Sequence, residues 1–219
     1  MSLFSFFKKP APKTIDDILD AAAQQAATDT ATWMLFSGDF TKGEVAEQLA
    51  RLAPEKLRAN PLVDDYASKV VDEVCERHTA LAKGWAEPTD HDRLMAAFAA
   101  LKKLGVEVRE SWGGTQSEAE VMLCEEMYGR GQLQFRFAFF HEQDTERAVL
   151  RGGLMLSFGF ADLEAADDEP VVPAAETIDT GEMVMAALRA EGLKPEWNGE
   201  ADRRIEMPSF RFERKHPGW

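Results

Sequence analysis

The stretch Leu133-Gln-Phe-Arg-Phe-Ala-Phe-Phe140 constrains the fold more than any other. Apolar residues at 133, 135, 137 and 139 alternate with Gln134 and Arg136, which is the period of a strand with one face buried. A lone strand cannot keep three phenylalanines in one row from water, so another layer must lie over them. After the Gly152-Gly153 turn, Leu154-Met-Leu-Ser-Phe-Gly-Phe160 reads as a second buried strand. Val106-Glu-Val-Arg-Glu110 reads as a shorter one.

Helical patterns fall between these strands. Leu94, Ala97, Phe98, Leu101 and Leu104 share a face, and Gly105 is placed to stop that helix in the left-handed conformation. Thr115-Gln-Ser-Glu118 caps a helix through about Tyr128, and a short helix is expected from about Asp144 to Leu150. Residues 161–178 lack an apolar period and read as a loop. Asp179-Thr-Gly-Glu182 is expected to cap a last helix, with Gly192 and Leu193 spaced for a Schellman ending. Trp197-Asn198-Gly199 suggests a strand and a tight turn, followed by extended segments at 204–207 and 210–212. The order α-β-α-β-α-β-α-β-β predicts a mixed sheet of four or five strands with packed helices.

Before Pro88 the pattern is helical throughout. Thr14 is placed to cap a helix bearing Ile15, Ile18, Leu19 and Ala22. Thr41-Lys-Gly-Glu44 has capping-box spacing, and Asn60-Pro61 puts proline at the first helical position. From there Leu62, Tyr66, Val70, Val74, His78, Leu81 and Trp85 form one apolar stripe. That stripe is expected to pack on the helix starting near Asp90 and on the Ile18/Leu19 face. The expected class is therefore α+β, with an all-helical region over residues 1–87, a cap or dimerisation arm, and an α+β domain over 88–219.

Charge limits the partners. Acidic residues outnumber basic ones 39 to 25, a net charge of −14. Phosphate backbones require a basic surface, so nucleic acid is not expected as a partner. Between Arg151 and Arg189 the chain has eight acids and no Lys or Arg. Such a window is either a solvated acidic loop or a surface that meets a basic protein. Under the second reading the contacts are Asp162, Glu164, Asp167, Asp168 and Glu169, with Phe160 and Trp197 as apolar anchors. The longest apolar run, Leu94 to Leu101, is far short of the roughly 20 residues of a membrane span. Phe4, Phe6 and Phe7 beside Lys8 and Lys9 read as an arm packed on the same chain or on a second copy, with membrane contact as the alternative. No secretory signal pattern is present, and the expected location is cytoplasmic.

The densest chemical cluster is His141-Glu-Gln-Asp-Thr-Glu146, at a strand-to-helix junction. One reading makes His141 a base or ligand, oriented with Asp144 and Glu146 toward a substrate. The other makes Asp144 a helix cap and the acids partners of the helix dipole. HExxH would need histidine at Thr145, the four histidines lack metal-ligand spacing, and Cys75 and Cys124 form no CxxC. GxSxG, P-loop and GxGxxG motifs are missing as well. No metal and no cofactor is therefore expected. Gly113-Gly114 fits either a plain turn or an anion cradle.

The strings Phe139 to Ala148 and Gly152 to Gly159 resemble a bacterial family, domain of unknown function family 6891. Asp92 to Leu101, Ala187 to Leu193, Glu196 to Gly199 and Arg203-Arg-Ile205 extend the resemblance over about residues 88–215. It implies a bacterial α+β domain without an established activity. Family members carry clustered cysteines just after the first strand. Ser111 to Glu118 has none here, so no role of those cysteines carries over. Three function classes follow. The first is a protein-binding module, of which an immunity protein neutralising a toxin is one form. The second is an enzyme working through His141, Asp144 and Glu146, and the third is a scaffold self-associating as a homodimer through the helical region.

Overall fold

The computed structural model describes residues 19–164 and 174–216, in which seven α-helices accompany one mixed four-stranded sheet. Helices α1 (Ala21–Ser37), α2 (Lys42–Leu52) and α3 (Pro61–Ala82) come first. Then follow α4 (Asp90–Lys103), β1 (Val106–Arg109), α5 (Gln116–Gly129), β2 (Gln134–Phe139), α6 (Glu142–Arg151), β3 (Leu154–Asp162), α7 (Ala174–Ala190) and β4 (Ile205–Met207). The strands lie in sequence order. β1 and β2 are parallel, and β2–β3 and β3–β4 are antiparallel. The expected α+β class and mixed sheet are thus present. Of the two closing strands, one is β4 and the other is a single bridge between Glu196 and Glu206.

The predicted local signals act as capping chemistry requires. Thr41 and Glu44 form the reciprocal box of α2. Asn60 caps α3, with proline next to it. Gly105 turns left-handed at φ +80° after α4. At the end of α7, Leu193 donates to the Leu188 carbonyl and Gly192 to that of Arg189, which is the Schellman pair. Thr14, Ile15, Ile18 and the Phe4–Phe7 cluster lie outside the described residues; the described helix α1 is capped by Asp20.

Three expectations require correction. The stripe on α3 is displaced: its buried face is Val63, Ala67, Val70, Val71, Val74, Cys75 and His78, while Leu81 is exposed. A run of spacings of four advances about 40° per step around a helix of 3.6 residues per turn, so it drifts off any one face. Secondly, α3 is covered by α1 and α2, with Leu19 packed as expected near Leu62, Val63 and Tyr66, while α4 packs on α7 and β1 instead. Thirdly, the segment 161–178 is not all loop. β3 continues to Asp162 and α7 starts at Ala174, so 179–182 lie inside the helix. Thr180 is tolerated there because its hydroxyl donates to the Glu176 carbonyl at 2.8 Å. Position 181 is glycine because a Cβ would sit 2.6 Å from Trp197 and 2.7 Å from Phe158.

The sheet is covered on both faces. Phe135, Phe137 and Phe139 meet Ala119, Leu123 and Met127 of α5. Ala138, Phe140, Phe158, Leu154 and Leu156 meet α4 and α7 on the other side. Helices α1 to α3 enclose their own core and reach the sheet through the α1–α6 contact.

The end of the chain straps the two clusters together. Phe210 and Phe212 enter the sheet core, and Arg214 donates to the Ser37 carbonyl at 2.6 Å and to Asp39. The His78 ring donates from Nε2 to the Arg214 carbonyl at 3.0 Å. His216 lies on Gly38, where φ is +77° and a Cβ would meet the ring at 2.1 Å. Burial, then the neighbouring His78, pushes the His216 pKa down to about 4.

Val74, 2% exposed, lies within the three-helix core. Val74→Asp buries an unpaired charge there and should cost about 4 kcal/mol or more. Urea unfolding followed by circular dichroism measures it. A fully helical variant with an unchanged midpoint would place the core elsewhere.

Candidate functional site

Strand β2 ends at Phe139, and the chain turns into α6 through His141. The cap is His141 itself, not Asp144 as expected from the sequence. Its Nδ1 accepts from the Asp144 backbone N–H at 3.4 Å, and the Asp144 carboxylate accepts from the His141 backbone N–H at 3.2 Å. The ring Nε2 lies 3.1 Å from Asp144 Oδ2. Both residues are buried. Burial lowers the His141 pKa, Asp144 opposes that, and Arg204 adds to it. Glu146 is on the exposed face of α6 and does not join them. Gly113 and Gly114 form a turn already in use. The Gly113 carbonyl accepts from Glu142, and the Gly114 N–H donates to Glu118.

Asp144 reaches a residue that no local pattern singled out. Arg204, 60 positions later, donates from Nη1 to Asp144 Oδ1 at 3.1 Å and from Nη2 to Oδ2. Nη2 also donates to the Met155 carbonyl at 3.2 Å. This fork-to-carboxylate pair is directional and holds the guanidinium plane. It ties the start of α6 to the segment that enters β4.

A cleft opens beside Arg204. β4 pairs only with Leu154 to Leu156, so the rest of β3 runs on beyond it. In the β2–β3 register Ser157, Gly159 and Ala161 lie opposite Phe139, Phe137 and Phe135 and so share their face. These small side chains leave space between α5 and the segment 201–204. The cavity is about 610 Å³, lined by Gln116, Glu120, Val121 and Cys124 of α5, Phe137, Ser157, Phe158 and Ala161 of the sheet, and Asp202, Arg203 and Arg204. A second hollow of about 640 Å³ adjoins it across Gln116 and residues 202–204.

The lining has an unusual polar inventory. Ser157 is 2% exposed, and its hydroxyl has no partner among the described residues; the Arg204 Nε–H is buried in the same condition. Cys124 borders the cavity, and burial, then Glu120, raises its thiol pKa. No group of three or more His, Cys, Asp or Glu among the described residues is arranged to hold a metal ion.

The expected protein-contact residues are dispersed. Trp197 packs edge-on against Phe158 at 5.1 Å, and its indole N–H donates to the Glu200 and Arg203 carbonyls, which props the 197–204 loop. Phe160 is half-buried under the Arg136 guanidinium, 5.6 Å from its ring centre. Asp162 accepts from Gln134 and from the Glu164 backbone, and Glu164 is exposed. Asp167, Asp168 and Glu169 lie outside the described residues.

The raised thiol pKa has a measurable consequence. Alkylation of Cys124 by iodoacetamide should rise with a midpoint above the ordinary thiol value of about 8.5. Cys75, 3% exposed, should stay unmodified while the protein is folded. A Cys124 midpoint at or below the ordinary value would contradict the placement of this thiol.

No described helix is long and apolar enough to cross a membrane. No curated protein and no solved structure matches the chain. A family model does match, over residues 20–216, and it takes in the N-terminal helices that the resemblance at about 88–215 left out. The chain belongs to the family described as Domain of unknown function (DUF6891).

Proposed function

We propose that this protein is a binding module whose occupant is a small organic molecule held in the cleft between α5, β3 and the 201–204 segment. The observation that carries this reading is the Ser157 hydroxyl, buried on a residue that lines the cavity and without a partner among the described residues. Buried polar groups are nearly always bonded, so an orphan on a residue that borders a space of this size marks where a ligand atom would be bonded after a small side-chain adjustment. Sites for small ligands typically span about 300–1,000 Å³ and combine apolar walls with a few fixed polar groups, as Phe137, Val121, Ser157 and Arg204 do here.

The class expected from composition, a binding module, is kept, but the occupant differs. The acidic stretch expected to meet a basic protein, or an immunity protein's toxin, is not part of this reading. Neither is acid–base chemistry at His141. That ring and Asp144 are committed to each other and to Arg204, and they serve the cleft by fixing the guanidinium.

Cys124 is a built-in reporter of occupancy. The dialysable small-molecule fraction of host-cell lysate, added to the protein, should slow the labelling of Cys124 by N-ethylmaleimide several-fold. The same fraction should not slow the labelling of Cys124 in denatured protein. Unchanged labelling of the folded protein would contradict a small-molecule occupant.

A further inference from the structure

The geometry points to a monocarboxylate with a compact apolar body as the occupant. Its carboxylate is bonded by the Ser157 hydroxyl and the Arg204 Nε–H beside the first turn of α5, and its body lies on Phe137, Ala161 and Val121. This rests on the reading of the cleft as a small-molecule site and specifies the chemistry of the molecule.

The first argument is about donors. Arg204 uses Nη1 and Nη2 on Asp144 and the Met155 carbonyl, and Nε is its one guanidinium nitrogen without a partner among the described residues. A guanidinium only donates, and a serine hydroxyl can donate beside it. A group that satisfies both must accept two hydrogen bonds, and a carboxylate does so with its two oxygens. The second argument is position. Gln116 and Ser117 line the cavity and form the first turn of the 14-residue helix α5. Backbone N–H groups at a helix start have no intrahelical acceptor and carry the positive end of the dipole.

The third argument is apolar cover. Val121 is 57% exposed at the cavity wall, with Phe137, Phe158 and Ala161 also lining the space. An apolar body laid there removes this surface from water. The fourth is charge. Arg204 is already balanced by Asp144, and Arg203 lies 3.6 Å from Glu200. Glu120 and Asp202 add two negative charges to the lining. These two carboxylates oppose any anion, and a doubly charged one about twice as strongly as a singly charged one, so a phosphate monoester fits less well than a carboxylate.

The test uses full-length protein and defined probes. 4-Phenylbutyrate and hexanoate are each compared with their alcohols, 4-phenylbutan-1-ol and hexan-1-ol, and with phenyl phosphate. Binding is read by nuclear magnetic resonance shifts of residues 116–124 and 157–161 and by protection of Cys124. The carboxylates should bind about tenfold more tightly than the alcohols, since hydrogen bonds to a charged group are the strong ones. Ser157→Ala removes a hydroxyl that has no partner among the described residues, so the unfolding midpoint should stay the same or rise. The same change should cancel most of the carboxylate's advantage and leave the alcohols unaffected. That split separates a ligand contact from a structural role. Alcohols that bind as tightly as the carboxylates in the cleft overturn the oxyanion assignment and leave the small-molecule site standing. Phenyl phosphate that binds more tightly than both carboxylates overturns the single-charge assignment. If none of the five probes shifts these signals or protects Cys124 at millimolar concentration, the inference and the site fall together, and solvent satisfies the two donors.

Discussion

The structure around the cleft depends on one buried ion pair, Asp144 with Arg204. Asp144 is 5% exposed, accepts two bonds from the guanidinium and one from the His141 backbone N–H, and lies against the His141 ring. A buried carboxylate needs this many partners, because its desolvation cost is several kcal/mol. The same carboxylate therefore starts α6 and anchors the chain as it enters β4. Without it the 201–204 segment is held near the sheet by the Trp197 prop, the Arg204 bond to the Met155 carbonyl and the short β4 pairing.

Space at the cleft follows from side-chain size along β3. Ser157, Gly159 and Ala161 occupy the face where Phe137 and Phe139 stand on the neighbouring strand. Gly159 is required by that contact, since a Cβ would lie 2.7 Å from the Phe137 ring. β2 supplies the bulk that packs against α5, while β3 supplies the hollow. The helical region is attached on the other side of α6 and by the chain end, where Arg214, His78 and His216 join α1 and α3 to the last residues. Membership of the family over residues 20–216 is consistent with this coupling, because the strap and the helices it holds are matched together.

Much of the fold was legible because its signals are local. The Phe135/Phe137/Phe139 row, the Thr41–Glu44 box, Asn60-Pro61 and the Gly192-Leu193 ending each depend on neighbours within a few residues. Failures occurred where tertiary contacts override local pattern. Asp179-Thr-Gly-Glu182 looks like a helix start, yet it lies inside α7, where position 181 is glycine because Trp197 and Phe158 close on it. The repeat of four on α3 met the buried face at Val70, Val74 and His78 and drifted off it at Leu81. The site was half legible. The His141–Asp144 cluster was identified, but its partner lies 60 residues away, and nothing in Arg203-Arg204 distinguishes the arginine that turns inward. The alternation of Ser157, Gly159 and Ala161 was not legible as a feature, because the apolar pattern ends at Phe160 and puts Ala161 in the following loop. Only the Phe-rich strand beside it turns that pattern into a cavity.

The claim that most depends on this reading is that Asp144 holds Arg204 in place. A double-mutant cycle over Asp144→Ala, Arg204→Ala and the pair, by urea unfolding at neutral pH, measures it directly. The two side chains are in contact and share a network, so the coupling should be about 2 kcal/mol or more, with the double variant less damaged than the single losses summed. Additive losses, with a coupling below about 0.5 kcal/mol, would show that the two act independently and that something else shapes the cleft.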